Sequence, residues 1–155
     1  MRSRLILICV IVAISLGLLA CSSTPTTPTT PAAPSQVSVE ATCDDFAANQ
    51  HISKEVTVAN GGSVTVTLCS NPTTGYSWDS PQIADQTVLE QTDHKVVPPA
   101  QASGVPPPPP GAAGEEEWTF KALKNGQTTV SIEYSRPWEG GDKGTWTFEL
   151  TVVVK

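Results

Sequence analysis

The sequence predicts an all-β domain, a sandwich of two sheets, and three observations carry the prediction. Short segments of alternating apolar and polar residues recur from Val56 to Val154, the period of half-buried strands. Turn-forming residues punctuate them, most clearly Asn60-Gly61-Gly62 and Asn125-Gly126. No segment shows the 3.6-residue apolar period of a helix. Six or seven such strands within about 100 residues stack as two sheets around one core.

Each element follows from the same alternation. Val37 and Val39 alternate like an added edge strand, while residues 44–50 read equally as a helical turn or a loop. Val56 and Val58 precede the Asn60 turn, and Val64, Val66 and Leu68 then alternate with Thr65 and Thr67, which predicts a hairpin. A short strand from Tyr76 to Asp79 and a weaker one around Val88 to Lys95 follow. The segment from Val97 to Gly114 holds seven prolines, five of them consecutive at Pro106 to Pro110, so it is a loop with polyproline character that cannot pair in a sheet. Trp118, Phe120 and Ala122 then face one way and Glu117, Thr119 and Lys121 the other. Beyond Asn125-Gly126, Val130, Ile132 and Tyr134 share a face, and the last strand aligns Trp146, Phe148, Leu150, Val152 and Val154.

The chain divides into residues 1–20, 21–35 and 36–155. The first part reads as an export signal: Arg2 and Arg4 form a basic start and Leu5 to Leu19 an apolar run, too short to span a membrane comfortably. It ends in Leu18-Leu19-Ala20-Cys21, which resembles the bacterial lipoprotein processing site, with cleavage before Cys21 and lipid on its thiol. That reading places the exported protein on the outer side of a bacterial cell membrane, held by acyl chains on Cys21. An ordinary signal peptide or an uncleaved anchor is the alternative. Ser22 to Ser35 carries no charge and no aromatic residue and reads as a disordered or extended tether, reaching at most about 45 to 50 Å.

With Cys9 lost with the signal and Cys21 lipidated, Cys43 and Cys69 remain as an even pair in an exported protein, which predicts a disulfide. The other reading of either cysteine, a reactive thiol, is opposed by Asp44 and Asp45, whose charge raises a thiol pKa. The whole chain carries a formal net charge of −6 and loses two more positive charges with the signal, which argues against nucleic acid as a partner.

Enzyme chemistry finds no footing. His51 and His94 lie in no ligand-like or triad-like spacing, and there is no metal-ligand, phosphate-loop or nucleophile-elbow motif. Glu115-Glu116-Glu117 is the one dense acidic run; alternation throws neighbouring members to opposite faces, so it reads as a solvated loop edge.

The distinctive features are loops at strand ends. In Asn71-Pro72-Thr73-Thr74-Gly75-Tyr76-Ser77-Trp78, Asn-Pro starts a turn, Pro72 fixes its own φ and Gly75 permits a left-handed backbone, which leaves Thr73 and Thr74 at the tip. In Arg136-Pro137-Trp138-Glu139, Pro137 stiffens the approach and Arg136 and Trp138 are residue types that dominate binding interfaces. The alternative here is a Trp138 folded back onto the sandwich, with Arg136 paired to a local acid such as Glu139. Gly140, Gly141 and Gly144 keep the rest of that loop adaptable.

These two motifs, with Gly111-Ala112-Ala113-Gly114 ahead of Trp118 and Phe120, resemble the three binding loops of the chagasin family, protein inhibitors of papain-like cysteine proteases. The resemblance covers roughly residues 52–155. It implies an immunoglobulin-like sandwich with three binding loops at one end, acting as a reversible, non-covalent monomeric inhibitor without metal or cofactor. It also implies that Thr73 and Thr74 lie against the protease's catalytic cysteine and that Trp138 stacks on the primed side of the cleft. Asn71, Pro72, Gly75, Tyr76, Arg136 and Pro137 complete those two loops, and Gly111 and Gly114 line the non-primed side. The pentaproline run and Ala112-Ala113 depart from the family's glycine-rich middle loop. A cell-envelope lipoprotein that binds some other partner is the rival reading.

Overall fold

A computed structural model describes residues 32–99, 106, 108–109 and 111–155. The expected signal segment, Cys21, most of the tether, and Pro107 and Pro110 of the pentaproline run lie outside the described residues. Strands β1 (Gln36–Ala41), β3 (Ser63–Ser70), β7 (Gly114–Ala122) and β6 (Leu89–Val97) form one sheet in the order β1-β3-β7-β6. The second contains β2 (His51–Val58), β9 (Trp146–Val154), β8 (Gly126–Ser135) and β4 (Ser77–Trp78) in the order β2-β9-β8-β4, with β5 (Gln82–Ile83) also paired to β8. The two-sheet, nearly all-β sandwich read from the sequence is the fold found.

The alternation works as expected on the long strands. Val64, Val66, Leu68, Phe120, Val130, Phe148 and Leu150 are completely or almost completely removed from solvent, and the two inner faces form one core. That core lies wholly within the compact unit Pro31–Lys155, which has the closed core an independently folding domain requires.

The hairpin expected across Asn60-Gly61-Gly62 does not form. Its two strands join opposite sheets: β2 runs parallel to β9, with Val56 opposite Val152, while β3 pairs with β1 in parallel and with β7 antiparallel. The turn's amides bond away from a hairpin, Asn60 N–H to Lys155 O and Gly61 N–H to Ala122 O. Val58 and Val64 on either side are both fully buried, and only crossing from sheet to sheet lets both face the same core.

A second departure is helix α1 (Cys43–Ala48), which resolves the segment left open between helical turn and loop. Thr42 caps it through a reciprocal capping box with Asp45. The helix buries Phe46, whose ring lies 5.0 Å from Trp146 and 5.3 Å from Trp78. The Thr42-x-x-Asp45 spacing is the signal that could have settled it.

A third correction concerns Glu115, Glu116 and Glu117, which belong to β7 and not to a loop edge. Alternation does separate them, and so it turns Glu116 inward, where it is 6% exposed. The Cys43–Cys69 disulfide is present and ties α1 to the end of β3.

Candidate functional site

Strand directions decide where the loops emerge. β3 and β8 run toward the same end of the sandwich, and β7 and β9 start there. The first loop (residues 71–76) leaves β3, the middle loop lies between β6 and β7, and the third (residues 136–145) joins β8 to β9. All three sequence motifs therefore share one end, with α1 and the disulfide beside them.

The first loop is a 3-10 turn, Pro72–Thr74, closed by Gly75 at φ 81°. Thr74 N–H donates to Asn71 O at 3.1 Å and Gly75 N–H to Pro72 O at 3.0 Å. The threonine hydroxyls are already paired: Thr73 Oγ1 donates to Asn71 Oδ1 and Thr74 Oγ1 to Asn71 O, both at 2.6 Å. Pro72, Thr73 and Thr74 remain exposed at the tip. Asn71 is the hub. Its backbone N–H donates to the Tyr134 hydroxyl at 2.8 Å, which fixes the loop to β8, and its Nδ2 donates to Gly111 O at 2.7 Å, which fixes it to the middle loop.

Gly75 also carries the first loop against the third. A Cβ built on it would lie 2.8 Å from Cη2 of Trp138, so the indole rests on the glycine. Trp138 is nonetheless 52% exposed. Arg136 does not pair with Glu139, the local acid named from the sequence; its Nη1 donates to Asp142 Oδ2 at 3.1 Å. The Tyr76 hydroxyl donates to that same oxygen at 2.7 Å, and the Arg136 guanidinium lies 4.5 Å from the Tyr76 ring centre. Arg136 thus commits Nη1 inside the molecule, while its Nε is buried without a hydrogen-bond partner. Pro137 is exposed beside it. Gly141 is a close-approach glycine rather than an adaptable one, since an added Cβ would meet Arg136 Cβ at 2.7 Å.

In the middle loop, Gly111 adopts φ 87° and presents the carbonyl that Asn71 engages. Gly114 sits where β6 and β7 close, and an added Cβ there would be 2.4 Å from Val97 O. Between the loops opens a hollow of about 250 Å³ walled by Tyr76, Tyr134, Trp146 and Cys43. Its apolar aromatic walls suit packing against a partner rather than catalysis. Among the described residues no group of three His, Cys, Asp or Glu is placed to hold a metal.

Tyr134 and Asp142 were not singled out for this end by the sequence. Tyr134 reads as core by alternation, and only its hydroxyl reaches the loop. Asp142 carries no local signal, because its partners Tyr76 and Arg136 come from two different loops.

Residues 57–152 match the family described as Chagasin family peptidase inhibitor I42. Amoebiasin-2 of Entamoeba histolytica is 33% identical over 93 residues, 59% of this chain and 70% of that protein. The crystal structure of the cysteine protease inhibitor EhICP2 from the same organism superposes with a TM-score of 0.59 at 23% identity, covering 79% of this chain and 99% of that one. The structure of PbICP-C in complex with falcipain-2 gives 0.50 at 16% identity over 77% of this chain and 98% of that one. These two structures show the shared immunoglobulin-like fold.

Proposed function

The chain belongs to the chagasin family of peptidase inhibitors and not to a class of enzyme, and from that premise we propose that it is a reversible, non-covalent inhibitor of papain-like cysteine proteases that wedges three loops into the active-site cleft. The observation that carries the reading is the cross-tied loop end: Asn71 holds the first loop to β8 and to Gly111, and Gly75 seats Trp138 of the third. A tip held this way has little freedom left to lose on binding, so its contact energy is retained as affinity.

Thr73 and Thr74 enter the cleft and lie against the catalytic cysteine. With their hydroxyl hydrogens already donated to Asn71, they offer a compact tip with no hydroxyl donor left to satisfy. Trp138 packs along the primed side, and Gly111 and Gly114 shape the loop on the non-primed side. Arg136, Tyr76 and Asp142 act as a buttress beneath Trp138. No covalent step occurs, and the inhibitor works as a monomer. The names of relatives that are cysteine protease inhibitors support this target class.

We extend the proposal to the lipoprotein form, with residues 1–20 removed, Cys21 lipidated on the outer side of a bacterial membrane and the Ser/Thr/Pro-rich segment as tether. β1 starts at the end of the sandwich opposite the loops, since it is parallel to β3. A chain anchored through Cys21 therefore keeps the loop end free for a soluble protease. The test is titration of papain and a cathepsin L-type enzyme with residues 31–155. Tight, reversible inhibition competitive with an active-site ligand is the expected result. A folded domain that leaves several such enzymes fully active would overturn it in favour of an envelope-binding module.

A further inference from the structure

Among the described residues Glu116 is the one carboxylate drawn into the interior beneath the loops, 6% exposed in β7 two residues after the middle loop ends at Gly114. Each of its oxygens is engaged by a different strand. Ser70 Oγ, from β3, donates to Oε1 at 2.7 Å, and His94 Nε2, from β6, lies 3.0 Å from Oε2. Ser70 is 1% exposed and immediately precedes Asn71. His94 stands three residues before the end of β6, its ring stacked on Trp118 at 4.9 Å and 9°. One buried group thus joins the root of the first loop to both roots of the middle loop.

Fold stability does not call for a charge in this place, because an apolar side chain of similar size commonly serves as well as a buried ion pair. What a carboxylate adds is direction: two acceptor oxygens that set β3 and β6 at defined distances from β7. We propose that Glu116 is a positioning residue for the inhibitory end, acting through Ser70 and His94 to hold the first and middle loops in binding geometry. The inference rests on the inhibitor reading above, but part of its test does not.

The experiment compares Ser70→Ala, Glu116→Leu and Glu116→Gln in residues 31–155. It reads the amide hydrogen exchange of Thr74 and Gly75 in the free protein, and the inhibition constant for papain. Ser70→Ala and Glu116→Leu should speed exchange at Thr74 and Gly75 about tenfold, leave the β8–β9 ladder amides unchanged, and weaken inhibition about tenfold. Glu116→Gln keeps the shape and a bonding partner for both neighbours and should restore both readings to within about twofold of the parent. Unchanged loop exchange, equal acceleration in the β8–β9 ladder, or a glutamine variant as impaired as the leucine one would each overturn the proposal. Should the parent fail to inhibit both papain and a cathepsin L-type enzyme, the inhibitor reading falls, while the exchange comparison still decides the role of Glu116.

Discussion

Replacing Gly75 with alanine separates two costs that glycine avoids at the heart of the loop end. The first is backbone: at φ 81° a side chain costs roughly 1 to 2 kcal/mol. The second is contact, because the new Cβ would stand 2.8 Å from Cη2 and 3.4 Å from Cζ3 of Trp138, where carbon atoms settle at about 3.5 to 4.0 Å. Trp138 is half exposed, so its ring can tilt away without breaking the core. The displaced indole then meets the protease in the wrong place. Gly140→Ala supplies the control within the third loop, with φ 73° and nothing within 4 Å of the added carbon. Both variants should lose about 1 to 2 kcal/mol of stability, a fall in Tm of roughly 4 to 10 °C. Only Gly75→Ala should also lose about 2 kcal/mol of affinity, near 30-fold in the inhibition constant, because it displaces an aromatic anchor. Thermal unfolding by circular dichroism and steady-state inhibition of papain supply the two numbers. Equal inhibition constants for the two alanine variants would refute the argument that Gly75 seats Trp138.

Truncating Trp138 itself to alanine should raise the papain inhibition constant by about 30-fold or more with little change in Tm, since the side chain is a binding anchor and half exposed; unchanged inhibition removes it from the site. Changing Cys43 and Cys69 together to serine opens a cross-link between residues 26 apart in sequence, and should cost about 3 kcal/mol, read as a Tm drop of 10 °C or more. The Thr42 backbone N–H, and then its hydroxyl, hold the Asp45 carboxyl below its ordinary pKa. A lowered folded value contributes stability above the unfolded value of about 4 and loses it as pH falls through the folded value. Asp45→Asn should therefore melt below the parent at pH 6, with the gap narrowing as the pH falls below about 4, as thermal scans across that range would show.

The loop end was readable in part because its motifs are local. Asn-Pro at Asn71, glycine at Gly75 and the Arg136-Pro137-Trp138 run announce themselves by backbone chemistry within a few residues. Cysteine parity likewise found the Cys43–Cys69 bridge without any geometry. Glu116 was misplaced because a run of three acids reads as solvated by composition, whereas alternation in a strand must turn the middle one inward. Helix α1 was left open because six residues are too few for a helical period to register, although its capping box was written in Thr42 and Asp45.

By itself the sequence determined which side of each strand is apolar, where the chain turns, and which short segments have a preset backbone, for these depend on neighbours along the chain. The tertiary structure alone decided that β2 and β3 part into different sheets, that Arg136 chooses Asp142 over Glu139, and that Gly75 meets Trp138. The reason is that alternation specifies a face but not a partner. Partners are chosen when two sheets must close over one core and bury both faces at once, and only that closure brings three distant loops to a single end.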